Sequence, residues 1–271
     1  ILGADNKAGV AAIVEAVLAV AGSGAAHGPV DLVFTVGEDV GHVGSKAFEP
    51  ESIAATVGFV LDAGSPVGDV VTEAPGTRRI QADFHGRAAH AGIEPEAGVS
   101  AISIMSRAIA NMPLGRIDAG TVANIGTVTG GQALNIVAPH ARLEAQARSL
   151  SEERLDTQVA AMCAAMNEAA EHYGGGVDYA VEPFVRASRL GDDDPALMRA
   201  EAAIRAAGLA PNRIPTGGGS DAHEVNAKGM RTVCMGAGYR DAHAVTEFMP
   251  HVELQRLAAV TIQLVLGARA R

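Results

Sequence analysis

Residues Val30–Asp39 read VDLVFTVGED and give the first indication of the fold class. Its first seven residues are mostly β-branched or aromatic, a His-Gly-Pro turn precedes them, and Gly-Glu-Asp follows them. A second apolar run, Thr56–Leu61, ends at Asp62. Continuous apolar runs bounded by turn residues favour strands of a parallel sheet that is covered on both faces. Both runs place acidic residues at their carboxyl ends, where ligands bind in open α/β sheets.

Helical segments alternate with these strands on both sides. The Ala-rich segment Lys7–Ala21 predicts a helix, and Ser45–Ile53 predicts a short one. Near the end of the chain, Pro195–Gly208 predicts a helix with Pro at its start and Gly at its end. A short apolar strand at Thr232–Met235 and a last helix at Val252–Leu266 complete this pattern. The outer parts of the chain therefore predict an α/β domain.

The middle of the chain follows another pattern. Its predicted elements are a strand (Arg79–His85), a helix (Glu96–Asn111), two strands (Thr121–Thr129 and Asn135–Arg148), a helix (Ser151–His172) and a strand (Val177–Arg186). This order is the split βαβ layout. We therefore predict a domain at residues 77–187 that is inserted into a discontinuous domain of residues 1–76 and 188–271.

Composition excludes several classes of protein. The 271 residues carry 21 Lys and Arg against 31 Asp and Glu, which gives a net charge of −10. Without a basic run, the chain is a poor candidate for binding nucleic acid or an anionic membrane surface. Two distant cysteines, Cys163 and Cys234, form no disulfide framework and favour a reducing compartment. We expect a cytoplasmic protein.

Acidic residues and one histidine converge on the predicted ligand edge of the sheet. Glu38 and Asp39 follow one strand, Asp62 follows another, Asp5 opens a helix, and His243 lies after the last strand. Each carboxylate alone has an ordinary interpretation as a helix cap or turn residue. Together they are the oxygen and nitrogen ligands that suit zinc or a similar divalent ion. Two adjacent acids also suit metal-assisted hydrolysis, in which one holds a metal that activates water and the other moves the proton.

Motifs in a recognisable order cover nearly the whole chain. They are Leu2–Gly9, Thr35–Lys46, Leu61–Gly64, Gly86–Gly98, Ala133–Val137, Arg148-Ser149, Gly217–Ala222, Asn226–Gly229, and His243 followed by Glu247. With them the chain resembles the dinuclear zinc metallopeptidases that include peptidase T, carboxypeptidase G and the aminoacylases. It is most similar to peptidase T-like members. The resemblance implies an α/β/α catalytic domain with a mostly parallel sheet and an inserted ferredoxin-like lid and dimerisation domain.

The resemblance also implies roles for the acidic residues and the histidine. Asp5 would bridge two metal ions. Asp39 and His243 would also bind one of these ions, and Asp62 would bind the other. Glu38 would be the general base and acid. The ions would be zinc, with cobalt or manganese as alternatives.

Substrate-binding roles are implied for five further residues. His90, from the partner subunit of a homodimer, would stabilise the oxyanion, and Asn135 and Arg148 would hold the substrate. Arg148 would grip a carboxylate with both of its terminal nitrogens. Gly218 and Gly219 would let the backbone approach the substrate closely. Ordinary interpretations stay open for three of these features: a loop cap for His90, an ion pair within the inserted domain for Arg148, and a flexible turn for the glycines.

The chain departs from the family pattern at three points. Asp39 stands where the family usually has Glu, and His223 stands where peptidase T-like relatives usually have Asn. The family's first metal ligand is a His in a His-x-Asp motif upstream of Asp5, and none of the nine histidines here is followed by Asp two positions on. We expect one metal site to be incomplete and the chain to be truncated at its N-terminus, with a degenerate paralogue as the alternative. The resemblance also implies a cis peptide between Asp5 and Asn6.

The sequence thus predicts a metal-dependent hydrolase that cleaves short peptides or N-acyl amino acids through a metal-activated water. Two alternatives stay open: an amidohydrolase for non-peptide amides, and a non-catalytic homologue that acts as a binding or dimerisation module. No functional role is predicted for the remaining histidines, His27, His42, His85, His140, His172 and His251.

Overall fold

Two units with separate cores make up the computed structural model, which describes residues 2–268. The first unit comprises the residues up to Ala74 and from Arg189 onward, and the second is Pro75–Ser188. The sequence-based boundaries of 77 and 187 lie just inside the second unit.

A mixed sheet forms the centre of the first unit. Its strands are β1 (Val57–Ala63), β2 (Asp69–Ala74), β8 (Ser188–Arg189), β9 (Asn212–Pro215) and β10 (Arg231–Gly236). Their order is β1-β10-β2-β8, and β9 also pairs with β2. The β1–β10 and β2–β9 pairs are parallel, whereas β10 and β2 are antiparallel. The expected parallel sheet is therefore only partly parallel.

Helices cover both faces of this sheet, as the fold prediction requires. On one face, α1 (Ala4–Ser23), α5 (Pro195–Ala206) and α7 (His251–Leu266) pack over the core. On the other face lies α6 (Asp221–Ala227), with the short α2 (Val43–Ala47) beside it. Neighbouring residues of one strand point to opposite faces, so each face has its own core. The first core includes Leu61, Val70, Leu197, Ile204, Val233 and Leu257, and the second includes Val71, Ala222 and Cys234.

Val30–Val36 forms no strand, and that prediction was wrong. A strand needs a neighbouring strand that pairs with its backbone, and no strand among the described residues pairs with this run. Its large side chains are correspondingly exposed; Phe34 and Val36 have 52% and 71% of their surface accessible. An apolar, β-rich composition favours a strand, but it does not supply a pairing partner.

Among the described residues, only α1 is long and apolar enough to span a membrane. Its residues Ala8, Ala12, Ala16 and Val20 are buried at helical spacing and pack toward β1 and α7. This is the pattern of a helix that covers a sheet.

The second unit has the predicted split βαβ fold. Its strands are β3 (Gly76–His85), β4 (Gly115–Arg116), β5 (Thr121–Gly130), β6 (His140–Ser149) and β7 (Gly176–Val185), and its helices are α3 (Ala101–Asn111) and α4 (Glu152–Tyr173). The strand order is β4-β5-β6-β3-β7, and the pairs are antiparallel. Both helices pack on the sheet over a core that includes Ile80, Phe84, Ile104, Leu143, Leu155, Met162 and Met166.

Helix α3 begins later than predicted. Residues Pro95–Ala97 form a separate 3-10 turn, and the Ser100 hydroxyl caps α3 by accepting from the Ser103 N–H at 3.2 Å. The cap sets the start of the helix at Ala101 rather than at Glu96.

Candidate metal and catalytic site

The site begins at the start of α1, which a buried carboxylate holds in place. Glu247 accepts hydrogen bonds from the backbone N–H groups of Gly3 at 2.6 Å and Asp5 at 2.9 Å. These donated bonds lower the pKa of Glu247 below its ordinary value. The peptide between Asp5 and Asn6 is cis, as predicted. Glu247 thus connects the start of α1 to the loop that carries His243.

Three of the predicted metal ligands lie together. His243 Nε2 is 3.0 Å from Asp5 Oδ2 and 3.3 Å from Asp39 Oδ1. One ligand atom from each of the three side chains lies within 4.8 Å of the other two, the spacing of ligands around one ion. The loop that presents His243 is closed by two backbone hydrogen bonds between Arg240 and Phe248. Within it, His243 adopts a φ of 66°, in the left-handed region.

Asp62 lies in β1 close to the other carboxylates. Burial is the main cause that raises the pKa of Asp62 to about 8, and the charges of Glu38 and Asp5 add to it. Burial also raises the pKa of Asp5, with Asp39 as the next cause. The hydroxyl of Tyr239, on the loop after β10, donates to the backbone oxygen of Asp62 at 2.7 Å and fixes the strand end.

The carboxylates border a cavity of about 1450 Å³ in the first unit. Asp5, Glu38, Asp39 and Asp62 line one part of it, and apolar residues of α1, β1 and the Val30–Val36 run line the rest. The cavity therefore combines a charged end with an extended apolar wall.

A histidine that the sequence analysis assigned no role, His42, contacts Glu38. His42 Nε2 lies 3.3 Å from Glu38 Oε1, and His42 Nδ1 lies 3.2 Å from Glu224 Oε1. The hydrogen bond to Glu38 is the main cause that raises the pKa of His42. The only sequence signal for this contact is the four-residue spacing between the two side chains.

The glycine-rich loop before α6 lies against the same histidine. A Cβ added to Gly219 would meet His42 Cε1 at 3.1 Å, whereas one added to Gly218 would meet nothing within 4 Å. His223, on α6, accepts from the Ser220 N–H through Nδ1, and burial lowers its pKa. Its buried Nε2 has no hydrogen-bond partner in the part of the chain that the structure describes.

Two substrate-binding candidates lie together in the second unit. The Ala91 N–H donates to the Asn135 backbone oxygen at 3.0 Å, and His90 forms an isolated bridge with Ile136. Both loops follow from the strand ends at which His85 of β3 pairs with His140 of β6. His90 and Asn135 therefore belong to one loop pair at this end of the sheet.

Arg148 lies at the other end of that sheet. It pairs with Thr77 at the start of β3, eight residues along β6 from His140. At the rise of an extended strand this separates it from the loop pair by about 25 Å. Burial lowers the pKa of Arg148, and its Nη2 donates to Gln146 Oε1 at 3.3 Å. Within one subunit, Arg148 and His90 do not meet.

The set of donors fits a divalent cation. Asp5 and Asp62 hold their protons more tightly than ordinary carboxyls because burial and neighbouring negative charge disfavour ionisation. A cation at this point would supply the opposing charge. Three carboxylates and one imidazole are ligands that zinc accepts.

Two family models and several curated relatives match the chain. Residues 72–174 match the model of the peptidase dimerisation domain, and residues 3–82 match that of the M42 glutamyl aminopeptidases. The chain is 40% identical to the uncharacterised protein YqjE of Bacillus subtilis over 98% of its own length and 71% of that protein. It is 23% identical to peptidase T of Clostridium novyi, of which it spans 65%.

Solved structures of two bacterial peptidases are also similar to this chain. An aminopeptidase PepT from Bacillus cereus is 40% identical with a TM-score of 0.86, and a tripeptidase from Staphylococcus aureus is 39% identical with a TM-score of 0.91. Each match covers 98% of this chain and 71% of the other. The chain belongs to the peptidase T-like members of the M20 peptidase family.

Proposed function

We propose that the protein hydrolyses short peptides, tripeptides in particular, with divalent metal ions, zinc foremost. The observation that carries this proposal is the convergence of Asp5, Asp39 and His243 on one point, with Asp62 and Glu38 on the same cavity. The names of the two solved relatives, an aminopeptidase and a tripeptidase, support the substrate class.

Two ions would be held by side chains of the first unit. Asp5, Asp39 and His243 would hold one, and Asp5 with Asp62 the other. When bound, such ions lower the pKa of a water molecule and polarise a substrate carbonyl. Asp39 has a shorter side chain than Glu, so the backbone after Gly37, which has a φ of 66°, has to bring its carboxylate close.

Glu38 would move the proton. Its carboxylate would accept a proton from water and return it to the nitrogen of the leaving amine, as a general base and then a general acid. Because Glu38 precedes Asp39 directly in the sequence, the proposed base would lie next to a proposed metal ligand.

The second unit would bind the substrate. The guanidinium of Arg148 would hold the carboxylate of a short peptide, and His90 and Asn135 would contact the peptide near the scissile bond. Because Arg148 and His90 lie at opposite ends of one sheet, both can contact one substrate only if they come from different subunits. This supports a homodimer in which the partner subunit's His90 stabilises the oxyanion. The match of residues 72–174 to a peptidase dimerisation domain agrees with it.

A cytoplasmic location accords with the two cysteines. Cys163 and Cys234 are both free, and Cys234 is buried. We place the enzyme in a reducing compartment for this reason.

A substrate panel tests the proposed function. Purified protein is supplied with zinc, cobalt or manganese and given a tripeptide, the same tripeptide with a C-terminal amide, a dipeptide and an N-acyl amino acid. We expect the free tripeptide to have the highest kcat/KM, and the amide to lose at least about tenfold because Arg148 loses its charged partner. Equal rates on peptide and amide would contradict the role of Arg148. Faster cleavage of the N-acyl amino acid would make the protein an amidohydrolase.

A further inference from the structure

We propose that His42 is a positioning residue that holds the carboxylate of Glu38 through a hydrogen-bonded chain anchored at Glu224. This inference rests on the proposed function, because Glu38 is the general base of that reaction. It assigns a task to two side chains, on α6 and at the start of α2, that do not touch the metal ligands in the contacts above.

The hydrogen-bonded chain joins the carboxylate of Glu38, the imidazole of His42 and the carboxylate of Glu224. The two ring nitrogens of His42 face oxygens of Glu38 and Glu224 at 3.3 and 3.2 Å. Because each ring nitrogen faces a carboxylate oxygen, both contacts are hydrogen bonds only when the ring carries two protons, which is the charged form of histidine. The raised pKa of His42 agrees with that form. A charge-assisted donor on one oxygen restricts the rotation of the Glu38 side chain.

The surroundings leave the ring little freedom. His42 is buried, with only 6% of its surface accessible, and Gly219 packs against its Cε1 edge. Glu224 is also largely covered, and Lys46 Nζ lies 4.0 Å from the Glu224 oxygen that His42 contacts. The anchor of the chain is therefore fixed on α6, which packs against β1 and β10.

The backbone of His42 points to a role for its side chain. Its φ of 59° lies in the left-handed region, which glycine adopts more easily than histidine. A buried, charged side chain at a position where the backbone favours glycine is costly to keep. Its ring contacts with Glu38 and Glu224 account for the presence of histidine there.

Position matters for a general base because a displacement of about 1 Å can cost about 100-fold in rate. Glu38 also sits at a turn, after Gly37, where its backbone alone does not fix the side chain. Without His42, the carboxylate would sample positions from which it cannot take the proton. The loss should therefore fall on kcat and not on substrate affinity.

Kinetics of His42→Leu, His42→Gln and Glu224→Gln test the inference, with His27→Gln as a control at an exposed histidine. We expect His42→Leu to lower kcat by about 10- to 100-fold, with KM and metal content within about twofold of wild type. His42→Gln, which keeps one donor for Glu38, should recover part of the loss. Glu224→Gln should lower kcat less than His42→Leu does. The double variant should have the same kcat as His42→Leu alone. Wild-type kcat in a folded His42→Leu protein would overturn the inference.

A spectroscopic readout separates this inference from the proposed function. In protein with ¹⁵N-labelled histidine, the ring signals that disappear in His42→Gln should be those of a doubly protonated ring. They should shift in both Glu38→Gln and Glu224→Gln. If the ring signals of His42 shift in neither variant, the inference is overturned, whatever activity the variants retain. If the His42 ring signals shift in both variants but the wild-type protein cleaves no peptide, the proposed function is refuted and the contact of His42 with the two carboxylates stands.

Discussion

At the residue scale, the main feature is a cluster of carboxylates whose negative charges are not balanced by nearby cationic side chains in the described part of the chain. Asp5, Glu38, Asp39 and Asp62 border one cavity, and burial with mutual repulsion raises the pKa of Asp62 to about 8. A carboxyl that resists ionisation costs stability at neutral pH and favours binding of a cation.

Asp62→Asn should stabilise the metal-free protein as the pH rises. The carboxyl has an ordinary pKa of 3.8 when unfolded and a raised one in the folded state. The native state therefore binds the proton more tightly, and the free energy of unfolding of the wild type falls between about pH 4 and pH 8. The variant has no carboxyl at this position, so its stability does not fall in this way. In the presence of a chelator, the Tm of the variant minus that of the wild type should therefore increase across that pH range.

Thermal unfolding with the chelator at several pH values measures this difference, and Asp193→Asn, at an exposed carboxylate, is the control. A Tm difference between Asp62→Asn and wild type that stays constant with pH would show that Asp62 is an ordinary carboxylate. With metal present, the same variant should lose metal affinity and activity.

At the element scale, the start of α1 depends on a residue from the far end of the chain. Glu247 holds the N–H groups of Gly3 and Asp5, and it stands four residues after His243. One carboxylate thus links two proposed metal ligands, Asp5 and His243.

Glu247→Gln should therefore weaken metal binding as well as stability. The amide offers one acceptor oxygen for two N–H groups and carries no charge. Glu253→Gln is the matched control: Glu253 is a buried carboxylate that accepts from the Val67 N–H at 2.7 Å. Both variants should lower Tm, but only Glu247→Gln should raise the Kd for zinc, measured by competition with a chromogenic chelator. An unchanged zinc Kd in Glu247→Gln would mean that the start of α1 needs no such anchor.

Periodicity was enough to predict most helices and strands, because each buries a regular stripe or face. It was not enough for Val30–Val36, whose strand character depends on a pairing partner that composition cannot reveal. The metal-ligand candidates could be named in advance because they lie at or after apolar, β-rich runs or open a helix, although the run before Asp39 forms no strand. His42 and Glu224 could not, because their contact joins residues 182 positions apart and follows no strand end.

At the scale of the whole molecule, each unit has its own core, and residues proposed for one reaction are divided between them. Arg148 and His90 occupy opposite ends of the sheet in the second unit. One active site would then take His90 from another subunit.

Mixing two inactive variants tests this arrangement. His90→Ala and Glu38→Gln homodimers should each be nearly inactive, because every site lacks one group. After subunit exchange in an equal mixture, half of the dimers are mixed and each has one intact site. Activity should rise to about a quarter of wild type. A mixture that stays as inactive as its parents, although exchange is shown by mass spectrometry, would place His90 and Glu38 of one subunit in the same site.

The turnover of a tripeptide by Glu38→Gln, with the metal content determined on the same sample, tests the proposed chemistry most directly. Glutamine keeps the size of the side chain but cannot accept and return a proton. We expect kcat to fall by about 10²- to 10⁴-fold, with metal content, KM and Tm close to wild type. Wild-type kcat in a fully metal-loaded Glu38→Gln protein would contradict the proposed chemistry.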